Sequence, residues 1–239
     1  MTAARPARRR RAQRGSGEQL RAEIVAATKE LLATSGSADA VSIRAVADKV
    51  GVTSPSIYLH FADKAELLSA VVVDVFRELD EAMLAAATAE DTPMGRLRAY
   101  GLAYIEFATS HPEHYRIAVM DPTSESQAAM DEMLRHAAFG HFNACVVDCM
   151  QAGIFRGDDP LPLTFQLWSA AHGVASLMIA KPHLPWGDAM TFADHVLCSA
   201  ALGLAIHGRI ANPDGSLSHE QVTAWLAEQS RRDARTKRS

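Results

Sequence analysis

Between positions 53 and 64 the chain reads Thr-Ser-Pro-Ser-Ile-Tyr-Leu-His-Phe-Ala-Asp-Lys. Four of these side chains, Thr53, Tyr58, His60 and Lys64, carry a hydroxyl, a phenol, an imidazole and an ammonium, the groups that hydrogen-bond to anionic oxygens. Between them, Ser54, Pro55 and Ser56 are small enough to let a backbone approach another surface closely. Lys64 has a further peculiarity: Asp63 and Glu66 form a capping pattern, so Lys64 falls in the first turn of a helix, where it opposes the helix dipole. An external anion is the natural partner, and a phosphate fits.

These groups act together only if something holds them on one face. Ile43, Val46, Ala47 and Val50 recur at helical spacing, Ser42 stands at an N-cap position, and Gly51 supplies the left-handed turn that ends the segment. Val52 plugs the turn, and Ser54 with Pro55 opens a second short helix anchored inward by Ile57 and Phe61. Thr53, Ser54, Ser56, Tyr58 and His60 are left facing outward. Two short helices about a glycine turn, over residues 41–68, read as a helix-turn-helix. A second helix of about two turns presents its N-terminal end to base edges in the major groove, and that N-terminus itself attracts a phosphate. The expected partner is double-stranded DNA. Two plainer readings stay open: Tyr58 as a core aromatic, and Ser54 and Ser56 as simple caps.

The segment resembles the DNA-binding domain of the TetR family of bacterial regulators. The likeness rests on Gly51, Tyr58, the His60-Phe61 pair and Lys64 at the family's spacing near the N-terminus, and it covers residues 17 to about 75. It implies phosphate contacts from Thr53, Tyr58, His60 and Lys64, and base contacts from Ser54, Pro55 and Ser56, with Arg44 often added. Ser42, beside Arg44 at the start of the first helix, completes the candidate DNA set.

The rest of the 239 residues read as helices as well. Ser16 and Gln19 suggest a capping box before the stripe Leu20, Ile24, Ala27, Leu31, which Gly36 stops. Helices are then expected from Asp63 to about Ala87, from Thr92-Pro93 to near His111, briefly from Pro112, and from about Ser124 to Gln151. Asp159-Pro160 opens one to Ala180, another covers Met190 to Gly208, and Ser218 with Gln221 caps a last one with a basic end. No alternating stretch long enough for a strand is found, so the fold class is all-α. The expected organisation is a basic, disordered arm over 1–15, the DNA-binding domain over 16–75, a helical ligand-binding and dimerisation domain over 76–212, and a C-terminal helix and basic tail over 213–239.

Charge is distributed unevenly. Through residue 70 there are 11 Lys and Arg against 7 Asp and Glu, whereas the remainder has 13 against 21. A positive end and an acidic remainder suit nucleic-acid contact by one end only, and disfavour a structural DNA-coating protein, which needs basic surface throughout. Arg8 to Arg11 and Arg14 would add non-specific attraction. No uncharged apolar run of about 18 residues is seen, so no membrane span is expected, and three cysteines suit a reducing cytoplasm, which the family resemblance implies is bacterial.

In the second region, Trp168, His172 and Gly173 resemble the Trp-His-Gly signature of one branch of TetR-type C-terminal domains. That branch implies a small-molecule effector inside a bundle, and a homodimer through the last two long helices. Small residues on the helices around 160–180 and 190–208, among them Ala171, Gly173, Ala175, Ala193 and Ala201, permit such close packing, although a tight monomer core uses the same residues. Aromatic and adaptable side chains at Tyr104, Phe107, Tyr115 and Met120 suit a mostly apolar ligand. Phe142, Cys145, Trp168 and His172 extend that candidate pocket, with ordinary core as the alternative for each residue.

His141, Cys145 and Cys149 form one helical stripe. Its ends lie about 12 Å apart along the axis, too far for one ion, and any adjacent pair supplies only two ligands. No metal site, cofactor or catalytic residue is therefore assigned. The chain lacks GxSxG, a phosphate loop and GxGxxG, so no enzymatic activity is expected.

Overall fold

The structure, a computed structural model, describes residues 16–120, 137–212 and 215–236. Among them it is all-α, with no strand. Ten helices follow in order: α1 Ser16–Ser35, α2 Ile43–Val50, α3 Ser54–Tyr58, α4 Lys64–Thr88, α5 Pro93–Ser110, α6 Pro112–Tyr115, α7 Ala137–Gln151, α8 Pro160–Ala180, α9 Ala189–Ile210 and α10 His219–Thr236. A π-type turn, Arg116–Met120, follows α6.

Local chemistry explains most boundaries. The Ser42 hydroxyl accepts from the Ala45 N–H at 3.2 Å, and Gly51 ends α2 at φ 80° with its own N–H donated to Ala47 O. A β-carbon at that φ is strained whatever the space around it, which is why the turn takes glycine. At α4 the Glu66 N–H donates to Asp63 Oδ1 at 2.8 Å while the Glu66 carboxylate reaches back to the Ala62 N–H at 2.6 Å. Asp159 caps α8, and Ser218 and Gln221 form a reciprocal capping box at α10. Gln19 donates to Glu23 rather than closing a box, and the Ser16 side chain lies outside the described residues. The arm over 1–15 and the expected start of the helix from Ser124, with Met130 and Leu134, also lie outside them.

Two compact units emerge: Met1–Ala82 with Phe107–Ala138, and Met83–Glu106 with Phe139–Ser239. The first is therefore discontinuous in sequence. The reason is local: α6 packs on α1, and His114 Nε2 lies 3.0 Å from the Lys29 carbonyl. That oxygen can only accept, so Nε2 carries the proton.

The core of the first unit holds Ile24, Val46, Ile57, Phe61 and Val71, each at most 1% exposed. Lys29 is buried with them, and its ammonium meets Asp74 at 2.8 Å and Glu78 at 2.5 Å. In the second unit α8 packs along α9. Both helices are long and apolar enough by composition to cross a membrane, at mean hydropathy 1.2 and 1.5. Counting strictly apolar runs misses this, because Gln166, Ser169, His172 and Ser176 interrupt α8 without lowering its average far.

Candidate nucleic-acid interface

The short helix α3 is held by its inner face. Ile57 is fully buried and Phe61, just beyond, is 1% exposed, each contributing roughly 1.5–3 kcal/mol by its burial. The Arg21 guanidinium of α1 lies 4.9 Å from the centre of the Phe61 ring, a cation–π contact that covers the ring's outer face. Lys49 of α2 pairs with Glu30 of α1 at 2.6 Å. The reader is thus braced on α1 from both of its helices.

Thr53 is the N-cap residue of α3, so Ser54 and Pro55 are its first two helical residues; the cap falls one position earlier than the sequence reading placed it. Thr53 Oγ1 and Ser56 Oγ lie 2.9 Å apart, so one hydroxyl donates to the other and the pair faces outward as a unit. Thr53, Pro55 and Tyr58 are exposed, and Ser54, Ser56, His60 and Lys64 are half-buried. Tyr58, at 53% exposure, is not a core aromatic. Ser42 is exposed but engaged in its cap, while Arg44 extends into solvent with its side chain 89% exposed and only a loose 4.0 Å approach to Asp48.

One residue on this face escaped the sequence reading. Leu59 is 84% exposed, between Tyr58 and His60. The available signal was the helical phase itself, which turns position 59 outward with 58; its apolar side chain kept it off a list chosen for polar groups.

The candidate effector residues fall in both units. Tyr104, Phe142, Cys145, Trp168 and His172 belong to the second unit, whereas Phe107 and Tyr115 are core residues of the first. The Met120 side chain lies outside the described residues. An open groove on the first unit, lined by Leu32, Ala38, Glu113, Arg116 and Ile117 among others, includes none of the eight.

Within the second unit three of them are wired together. The Trp168 indole N–H donates to Tyr104 Oη at 3.3 Å, Tyr104 Oη lies 3.3 Å from His172 Nδ1, and His172 Nε2 lies 3.2 Å from Ser176 Oγ. The indole can only donate, so Tyr104 Oη accepts from it, and the imidazole bridges the phenol and the Ser176 hydroxyl through its two ring nitrogens. Burial pushes the His172 imidazole pKa down, which favours the neutral ring. A depressed histidine contributes stability that is present above the ordinary histidine range and lost as pH falls through it. Melting between pH 7 and pH 5 is expected to drop less steeply in His172→Gln than in the unaltered protein; equal slopes would remove His172 from the chain.

An all-α chain with a core-anchored, solvent-facing second helix after a glycine turn defines a helix-turn-helix protein. Residues 24–71 match the family model described as bacterial regulatory proteins, tetR family, and residues 97–200 match one described as a tetracyclin repressor-like C-terminal domain. The chain belongs to the TetR family of bacterial regulators. The HTH-type transcriptional regulator Rv1816 of Mycobacterium tuberculosis is 26% identical over 147 residues, which span 61% of this chain and 62% of that protein. The fold is shared with a protein of unknown function from Rhodococcus sp. RHA1, at TM-score 0.68 and 24% identity over 78% of this chain and 95% of that one. It is also shared with the transcriptional regulator FadR of Bacillus subtilis, solved in complex with stearoyl-CoA, at TM-score 0.64 and 16% identity over 76% of this chain and 98% of that one.

Proposed function

We propose that this protein is a ligand-responsive transcriptional regulator, a repressor that binds a palindromic operator as a homodimer and leaves it when a small, mostly apolar molecule enters the C-terminal bundle. The observation that carries the DNA reading is the outward edge of α3, with Thr53, Ser56, Tyr58 and Leu59 presented by a helix whose other face is fully buried. Ser54, Pro55 and Ser56 read bases, while Thr53, Tyr58, His60 and Lys64 hold phosphates and Arg44 reaches further along the groove. Leu59 adds an apolar contact suited to a thymine methyl.

The dimer reading rests on the outward faces of α8 and α9. Leu177 is 54% exposed, Phe192 38% and Leu202 60%, and Ser199, Gly203 and Ile206 continue the α9 face at helical spacing. A second copy packed there buries them in a four-helix interface about a two-fold axis. The Bacillus subtilis regulator that shares this fold holds stearoyl-CoA, a guest whose acyl chain is of the apolar kind proposed here. Release follows from differential affinity: the effector favours a conformation whose two reading helices no longer match the half-site spacing.

Selection from a pool of random duplexes, followed by footprinting, tests the proposal. The expected outcome is an inverted repeat with half-sites about 10 base pairs apart, or a multiple of that, protected symmetrically. An unenriched pool, or a single unrepeated half-site, would refute it.

A further inference from the structure

We propose that Cys145, Cys149 and Met94 form a three-sulfur site for a soft, low-coordinate cation, with copper(I) as its type. The sequence stripe offered two thiols and stopped there, because the third sulfur arrives from a different helix. Cys145 and Cys149 stand one turn apart on α7, so their side chains are neighbours. Met94, near the start of α5, brings its thioether to 3.9 Å from the Cys149 thiol. Metal–sulfur bonds of about 2.3 Å arranged in a trigonal plane put neighbouring sulfurs about 4 Å apart, so this pair already has the right edge length.

The donor set selects the ion. Thiolate and thioether ligands favour copper(I), whereas zinc asks for four ligands from thiolate, imidazole and carboxylate. No cluster of three His, Cys, Asp or Glu suited to a metal exists among the described residues. Cys149 is fully buried and Cys145 half-buried, and no cysteine is tied up in a disulfide. Arg96, paired with Asp148 at 3.0 Å, stands on the same side of α5 and α7. Two thiolates around one monovalent cation leave the site with a single negative charge.

Binding is an exchange without redox change. Two S–H bonds break, two copper–thiolate bonds and one copper–thioether bond form, and two protons leave for solvent. Apparent affinity therefore rises about a hundredfold per pH unit near neutrality, tenfold for each proton released.

The site stands independently of the DNA-binding proposal and is tested without DNA. The full-length reduced protein is titrated anaerobically with copper(I) against bathocuproine disulfonate, whose coloured complex reports the metal it retains. One copper per chain is expected, with affinity climbing with pH as above. Cys145→Ser should weaken binding at least a hundredfold and Met94→Leu about tenfold, with far-UV circular dichroism unchanged. Cys198→Ser, which alters the exposed cysteine, should bind as the unaltered protein does. X-ray absorption at the copper edge should show three sulfur neighbours. Absence of binding, binding indifferent to Cys145→Ser or Met94→Leu, or binding lost with Cys198→Ser would each overturn the assignment.

Discussion

Replacing Lys29 by methionine is expected to destabilise the first unit by about 2 kcal/mol, read as a lower denaturant midpoint at pH 7. The substitution keeps the aliphatic stem but removes an ammonium of α1 that sits against Asp74 and Glu78 of α4. Removing one member of a fully buried ion pair costs about 3–5 kcal/mol, because the remaining charge is left without compensation. Asp74 and Glu78 keep side-chain exposures of 27% and 38%, so water screens part of that loss and the lower figure applies.

The same substitution carries a pH signature. Burial alone would raise the Asp74 carboxyl, but hydrogen bonds from Lys29 and Arg77, and their charges, outweigh it and hold the group below its ordinary range. A depressed carboxylate stabilises the fold above that range and loses its contribution as pH falls through its folded value. Acid unfolding should therefore begin from a lower plateau in Lys29→Met and fall less steeply. If the variant matched the unaltered protein at pH 7 and through the acid limb, the ion triad would be a surface ornament.

The second large effect falls on DNA. Lys64→Ala is expected to weaken binding about tenfold on every duplex, related or not, and to reduce the slope of log affinity against log salt by about one. Ser56→Ala should instead leave non-specific binding near its original value and cost about 1–3 kcal/mol of discrimination at one position of the preferred site. Competition titrations on operator and scrambled duplexes at several salt concentrations separate the two patterns. An unchanged salt slope in Lys64→Ala would remove that side chain from phosphate contact.

Much of this fold is legible in the sequence wherever its determinants are local. The caps at Ser42, Asp63, Asp159 and Ser218 act within four residues, so residue type and spacing suffice to find them. The inward anchors Ile57 and Phe61 follow from helical phase, and their burial leaves Tyr58 outside. What a single sequence conceals depends on partners far along the chain. Lys29 interrupts an apolar face, and its burial makes sense only with Asp74, 45 residues away. Met94 gains its meaning from Cys149, 55 residues on. Composition carries no position: it groups the aromatic residues of the middle helices, whereas Phe107 and Tyr115 are core residues of the first unit. Leu59 was missed for another reason, since an apolar side chain becomes conspicuous only once its exposure is known.

Sequence-specific DNA recognition by α3 is open to measurement by fluorescence anisotropy. The full-length protein is titrated into a labelled duplex carrying the selected inverted repeat and, separately, into a scrambled duplex of the same length and composition, both at physiological ionic strength. The repeat is expected to bind at least about a thousandfold more tightly. Equal affinity for the two duplexes would contradict it.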